Sequence, residues 1–283
     1  MRRGGWRAAS LRTTAALASL ALLSFALLSL PAGAHAASVD ASQAKPTNLT
    51  QTQATQIRAT QIQPTQARAK PAQVLIDAYG DSTTLGITCS DGHCGPQAQN
   101  AVAFLQDELQ ARHGERVRVT NYGVGGTMAT QLRDGTGNRR AGPSAGLPWQ
   151  ERLAASPAQI VLINYGINEV MQNQTPEAFY AAETALVKTA RALGKEPVLQ
   201  TSNPMPDGRL NARLAAMVAM TRRVAAEQQV PLVDQFAYIS NLPDWKTLMS
   251  DGAHPKPGLY RLKAEEDFQI VDPLVRRLLD GAL

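Results

Sequence analysis

The sequence predicts an α/β protein of three layers (α/β/α), in which helices cover both faces of a mostly parallel, five-stranded sheet. Three observations support this fold class. Short apolar runs recur from residue 74 onward, helical patterns separate them, and glycine, proline or polar turn residues follow them. Strands that alternate with helices pair in parallel, and their crossover helices pack on both faces of the sheet.

The individual elements follow from the period of the apolar residues and from the residues at their ends. Pro176 suits the first turn of a helix, while Gly114 and Gly194 suit helix ends. These signals predict helices at 101–113, 175–193, 210–228 and 263–279. The apolar runs predict strands at 74–76, 117–121, 160–164, 197–201 and 231–234, the first of which leads into a turn at residues 79–82.

Residues 1–36 have the pattern of a secretory signal peptide. Four arginines precede an uncharged stretch rich in alanine and leucine, and Ala34-His35-Ala36 supplies the small residues that a signal peptidase recognises. We therefore expect an exported protein, periplasmic or secreted, with no stable membrane insertion after cleavage. The alternative is an uncleaved leader that tethers the protein to the membrane.

Residues 37–72 are a low-complexity segment in which Thr-Gln pairs recur, and we predict a linker there. The folded domain is then 73–283. Of the net charge of +5, residues 1–36 carry +4 and residues 37–72 carry +3, which leaves −2 for the domain. A domain with no surplus of basic residues is poorly suited to bind a phosphate backbone, so we expect no nucleic-acid partner.

The two cysteines, Cys89 and Cys94, flank the turn-forming tetrapeptide Ser-Asp-Gly-His. Cysteines this close in an exported chain favour a disulfide. A metal site that includes His93 is the competing interpretation, although it lacks the paired Cys-x-x-Cys spacing of zinc sites.

Polar clusters follow three predicted strands, and another precedes the last helix. In an open parallel sheet the site lies beyond the carboxyl ends of the strands. A serine there becomes a nucleophile only if a base removes its proton, and His254 has an acid, Asp251, three residues before it. Of the other histidines outside the predicted signal peptide, His113 suits a helix C-terminus and His93 lies between the cysteines. The clusters are Gly80-Asp81-Ser82-Thr83, Asn121-Tyr122-Gly123-Val124-Gly125-Gly126-Thr127, Gly166-Ile167-Asn168-Glu169 and Ser250-Asp251-Gly252-Ala253-His254.

The order of these four clusters resembles that of the SGNH (GDSL-type) hydrolases, and the resemblance extends from Tyr79 to Pro255. It implies a flavodoxin-like fold and an ester hydrolase that needs no cofactor and no metal. By this resemblance Ser82 is the nucleophile, and Asp251 and His254 complete a catalytic triad. The oxyanion hole consists of the Ser82 N–H, the Gly126 N–H and the Asn168 amide, which suits a tetrahedral intermediate.

Three residues depart from the family pattern. Thr83 replaces the usual leucine, Gly125 replaces a serine and is a second candidate for the oxyanion N–H, and Glu169 replaces an aspartate. The expected function is an exported serine esterase that removes short acyl groups, chiefly acetyl, from a small-molecule or glycan ester. The alternatives are a lysophospholipase or thioesterase with a longer acyl pocket, an acyltransferase, and a noncatalytic glycan-binding domain.

Overall fold

A computed structural model describes residues 72–137 and 146–281. The predicted signal peptide and nearly all of the predicted linker lie outside the described residues. In chain order the strands and helices are β1 (Val74–Gly80), α1 (Ser82–Leu85), β2 (Ile87–Ser90), β3 (His93–Pro96), α2 (Ala101–His113), β4 (Val117–Gly123), α3 (Ala129–Asp134), α4 (Trp149–Ala155), β5 (Ile160–Tyr165), α5 (Ile167–Met171), α6 (Pro176–Ala192), β6 (Glu196–Thr201), α7 (Gly208–Gln228), β7 (Leu232–Val233), α8 (Gln235–Ser240) and α9 (Pro257–Asp280).

The central sheet has five strands in the order β4-β1-β5-β6-β7, and every pair is parallel. Counted along the chain, this is the 2-1-3-4-5 order of flavodoxin-like folds. The predicted fold class is therefore confirmed. Because β1 lies between β4 and β5, the segments that follow these three strands meet at one edge of the sheet.

Both faces of the sheet are covered, because side chains of a strand alternate between its two sides. In β1, Ile76 and Ala78 belong to the apolar core under α2 and α9, whereas Tyr79 belongs to the core on the opposite face. That second core is built with side chains from α3, α4, α6 and α7. The three layers predicted from the sequence are thus present.

The predicted strands and helices all occur, and the helix at 101–113 has the predicted bounds, whereas the bounds of the others differ by one or more residues. The last helix begins at Pro257 rather than near residue 263, because proline suits the first turn of a helix and Leu259 and Tyr260 already face the core. The short helices and the hairpin of β2 and β3 leave no clear signal in the sequence. Segments of four to seven residues are too short to show a periodic pattern.

The β2–β3 hairpin carries both cysteines directly opposite each other, and they form the Cys89–Cys94 disulfide. Asp91 and Gly92 at its tip have positive φ angles of 52° and 78°, as a tight two-residue turn between antiparallel strands requires. The two sulfurs are bonded to each other, so neither is a thiolate that could bind a metal. The structure therefore favours the disulfide over a metal site that includes His93.

Among the described residues, no helix is both long enough and apolar enough to cross a membrane.

Candidate active site

Ser82 begins α1 directly after the central strand β1. Asp81, the residue between them, is fully buried and caps the helix: its Oδ1 accepts hydrogen bonds from the Thr83 N–H at 2.8 Å and from the Thr83 hydroxyl at 2.9 Å. Burial raises the pKa of Asp81, while Thr83 opposes that shift. The cap fixes the turn that holds Ser82 at the carboxyl edge of the sheet.

Two glycines allow α1 to pack closely on the sheet. A Cβ on Gly80 would lie 2.1 Å from Thr84 Oγ1 and 2.6 Å from the Asn164 carbonyl oxygen. A Cβ on Gly123 would lie 2.2 Å from the Leu85 nitrogen. The glycines of the first two polar clusters therefore provide the space in which the helix carrying Ser82 sits.

His254 lies next to Ser82 although 172 residues separate them in the sequence. Its Nε2 is 2.9 Å from Ser82 Oγ, and its Nδ1 is 2.7 Å from Asp251 Oδ2. The three side chains predicted to form a triad are thus joined in one hydrogen-bonded chain. Asp251 and His254 both belong to residues 250–255, which we call the acid–base loop.

The Asp251 carboxylate is held by the backbone of its own loop. Its Oδ1 accepts hydrogen bonds from the backbone N–H groups of Ala253 at 2.7 Å and His254 at 2.6 Å. Partial burial raises the pKa of Asp251, but the hydrogen bonds from the His254 ring and from these N–H groups outweigh it, so the pKa lies below its ordinary value. The group is therefore a carboxylate suited to orient an imidazole.

The predicted oxyanion groups follow β1, β4 and β5, which are adjacent strands of the sheet. Gly126 has a left-handed φ of 78°, and its carbonyl oxygen accepts a hydrogen bond from Gln172 Nε2 at 3.0 Å. Within the described residues no acceptor binds the backbone N–H of Ser82 or Gly126. Gly125 also runs beside the serine, since a Cβ on it would lie 3.8 Å from Ser82 Cβ.

Asn168, the third predicted oxyanion group, lies between the Asp81 cap and residues 123–127, which we call the glycine loop. Its Nδ2 donates to the Thr127 carbonyl oxygen at 3.0 Å and, at the longer distance of 3.3 Å, to Asp81 Oδ2. The structure thus joins the three triad side chains and places Asn168 against Asp81 and Thr127, which are the sequence neighbours of Ser82 and Gly126.

Glu169 connects two segments that lie 40 residues apart in the sequence. Its Oε1 accepts from the Ala129 N–H at 2.7 Å and its Oε2 from the Gly166 N–H at 2.8 Å. Burial raises the pKa of Glu169 to about 7, and these hydrogen bonds act in the opposite direction. The residue ties the turn that presents Asn168 to the segment that follows the glycine loop.

A buried lysine supports the acid–base loop from behind. Lys263 donates to Asn203 Oδ1 at 3.1 Å, and Asn203 Nδ2 donates to the Ala253 carbonyl oxygen at 3.1 Å. Burial lowers the pKa of Lys263 to about 8, although the nearby carboxylates of Asp267 and Asp81 favour its charged form. No motif signals Lys263, because it lies within a regular helix.

The aromatic residues near the motifs mostly serve packing. Tyr79 is buried, stacks on Tyr122 at 5.2 Å between ring centroids, and meets the edge of Trp149 at 4.8 Å. Trp149 begins α4 and donates from Nε1 to the Leu186 carbonyl oxygen at 2.9 Å. Both rings are buried, so these contacts belong to the core.

A parallel α/β sheet with a serine–histidine–aspartate chain at its carboxyl edge is the arrangement of serine hydrolases. The model of the GDSL-like lipase/acylhydrolase family matches residues 78–262, well over half of the chain. This protein therefore belongs to that family and is an ester-bond hydrolase.

Solved structures of esterases share the fold. Axe2, an acetylxylan esterase from Geobacillus stearothermophilus solved as a catalytic mutant, has a TM-score of 0.57 and 20% identity over 71% of this chain and 96% of its own. An aryl esterase from M. smegmatis has a TM-score of 0.56 and 19% identity over 71% and 99%. A putative lipolytic protein of the G-D-S-L family from Desulfitobacterium hafniense DCB-2 has a TM-score of 0.53 and 19% identity over 70% and 99%. None of the curated proteins matches this sequence.

Proposed function

We propose that this protein is an exported serine esterase that removes short acyl groups, chiefly acetyl, from carbohydrate esters through an acyl-enzyme on Ser82. One observation carries the proposal: the unbroken chain of hydrogen bonds from Ser82 Oγ through the His254 ring to Asp251 Oδ2, with distances of 2.9 and 2.7 Å.

The geometry defines the role of each group in the first half of the reaction. Asp251 accepts the Nδ1–H of His254, which leaves Nε2 unprotonated and facing the serine. Ser82 Oγ attacks the ester carbonyl carbon while Nε2 takes its proton. His254 then returns that proton to the leaving alcohol as the C–O bond breaks, and the acyl group remains on Ser82.

The negative charge on the carbonyl oxygen in the transition state needs donors that are already in place. The N–H groups of Ser82 and Gly126 provide two, and each donor of this kind contributes on the order of 3 kcal/mol. Asn168 provides the third when it gives up its longer hydrogen bond, the one to Asp81. In the second half of the reaction His254 deprotonates a water molecule, which attacks the acyl carbon and releases Ser82 and the acid.

Several observations support the finer assignment to short acyl groups and to export. The sequence has no long, strongly apolar insertion that would cover a fatty-acyl chain. The Geobacillus esterase that shares the fold is named for an acetylated polysaccharide. The signal-peptide pattern of residues 1–36 and the Cys89–Cys94 disulfide are both typical of exported proteins.

A preference for longer acyl chains is the second candidate, favoured by the lipolytic protein among the structures that share the fold. Acyl transfer would use the same acyl-enzyme with a different alcohol in place of water. A noncatalytic glycan-binding domain would have no chemical need for the Ser82–His254–Asp251 chain.

The test is hydrolysis of p-nitrophenyl acetate, butyrate, octanoate and palmitate by the purified full chain and by Ser82→Ala. Ser240→Ala, a change at an exposed serine at the end of α8, is the matched control. We expect the fastest turnover on the short esters and its loss only in Ser82→Ala. A maximum at octanoate or beyond would favour the lipid candidate, and equal rates for the protein and Ser82→Ala on every ester would reject the serine esterase.

A further inference from the structure

The β2–β3 hairpin lies directly against the acid–base loop. The backbone N–H of Cys89 donates to Ser250 Oγ at 3.0 Å, and the hydroxyl of Thr88 donates to the Pro255 carbonyl oxygen at 2.9 Å. These two bonds fix both ends of the loop. Inside the loop, Ser250 Oγ donates to the carbonyl oxygen of His254 at 2.9 Å. A shift of the hairpin would therefore be transmitted to the residues on either side of Asp251 and His254.

The disulfide itself contacts the carboxylate. Cys89 Sγ lies 3.0 Å from Asp251 Oδ2, the same oxygen that faces His254 Nδ1, and 3.9 Å from that ring nitrogen. A sulfur in a disulfide carries no proton, so it cannot donate a hydrogen bond to the carboxylate. It occupies one side of Oδ2 and leaves the His254 ring as the side-chain donor to this oxygen.

We propose that Cys89–Cys94 is a positioning disulfide, which holds the Asp251 carboxylate against His254 and thereby makes ester hydrolysis depend on the oxidised state of the hairpin. This inference rests on the proposed roles of Ser82, His254 and Asp251. It assigns to the disulfide a function in turnover in addition to any contribution to stability.

Reduction changes both features on which the positioning depends. A dithiol reductant supplies two electrons and two protons, becomes a cyclic disulfide, and converts the Cys89–Cys94 bond into two thiols. The Cys89 S–H is then a donor next to Asp251 Oδ2 and competes with the ring N–H of His254. The hairpin also loses its only covalent cross-link, and an isolated pair of short strands has little stability of its own.

The expected result is a fall in kcat of about 10- to 100-fold on reduction, the range in which small displacements of catalytic groups change rates. We expect KM to change by less than about twofold, because the hairpin acts on the acid–base loop rather than on the acyl group. The rate at which a fluorophosphonate probe labels Ser82 should fall with kcat, since labelling also requires an activated serine. Reoxidation should restore both rates.

The experiment compares the oxidised full chain, the same protein reduced with dithiothreitol, Cys94→Ser and Cys89→Ser. Thiol titration establishes the redox state, and circular dichroism and melting temperature establish folding. Cys94→Ser leaves a thiol beside Asp251, whereas Cys89→Ser removes the sulfur that touches the carboxylate. His93→Ala is the control, because it changes the exposed hairpin without touching the acid–base loop.

The outcomes separate this inference from the proposed function. Ser82-dependent hydrolysis that reduction leaves unchanged, in protein with two titratable thiols, would overturn the positioning role and leave the esterase intact. A loss of rate that accompanies unfolding in the reduced protein and both variants would also overturn it, since the disulfide would then act on stability alone. Oxidised protein without Ser82-dependent activity would overturn both proposals.

Discussion

Ser82 stands at the end of the central strand β1, whereas Asp251 and His254 stand in a loop between α8 and α9. The serine side is fixed by its immediate surroundings in the sheet, namely the buried Asp81 cap, two glycines and the strands on either side of β1. The acid–base loop is fixed by contacts from distant segments, namely the β2–β3 hairpin and the pair of Lys263 and Asn203.

The two sides also differ in exposure. The Asp81 cap beside the serine is 0% exposed, while the side chains of Asp251 and His254 are 34% and 19% exposed. A base that must exchange protons with substrate and water needs such access. The sheet thus positions the nucleophile, whereas the acid–base loop depends on side-chain and hairpin contacts that substitution can remove. Substitutions on each side test this difference.

The largest effect is expected at the base and the acid of the hydrogen-bonded chain. His254→Ala removes the base and should lower kcat by about 10⁶-fold, whereas Asp251→Asn keeps the shape and should lower it by about 10⁴-fold. Steady-state kinetics on p-nitrophenyl acetate measure both. Equal, small losses in folded variants would contradict the assigned roles.

The next effect concerns the support on the serine side. In Glu169→Gln one of the two carboxylate oxygens becomes an NH2 group, which cannot accept a hydrogen bond from the Ala129 or Gly166 N–H. This loss should lower the free energy of unfolding by about 1–3 kcal/mol. Because burial raises the pKa of Glu169 from 4.5 to about 7, the folded state binds its proton more tightly than the unfolded state. The stability from this group is fully present below pH 4.5 and is lost as the pH rises through 7.

Urea titrations of the protein and of Glu169→Gln between pH 4 and 8 would measure this contribution. The variant should show a smaller decline in stability over that interval than the unchanged protein. Glu115→Gln, at an exposed position, serves as the control. Parallel curves for the protein and Glu169→Gln would show that the carboxyl does not titrate in this range.

The smallest effect is expected behind the acid–base loop. Asn203→Ala removes the link between Lys263 and the Ala253 carbonyl oxygen, so kcat should fall by about 10-fold while KM stays nearly constant. Asn241→Ala, at the exposed end of α8, is the matched change. A rise in KM with unchanged kcat would mean that Asn203 contacts the substrate instead.

The parts of this structure that the sequence predicts are those with a repeating or ordered pattern. The apolar runs predict the strands, and the four polar clusters predict which side chains meet at the carboxyl edge. The links from Lys263 to Asn203 and from Glu169 to Ala129 could not be predicted, because these partners lie 60 and 40 residues away in the sequence.

The close packing at Gly80 and Gly123 has a consequence for how the sequence of this protein can vary. Any side chain at these two positions would collide with α1 or with the adjacent strand, so the start of the nucleophile helix admits no substitution there without moving the serine. At Gly95 and Gly208 an added Cβ would meet no atom within 4 Å, and neither has a positive φ. Among active variants selected from a library of random substitutions, Gly80 and Gly123 should therefore be retained, whereas Gly95 and Gly208 should be replaced freely.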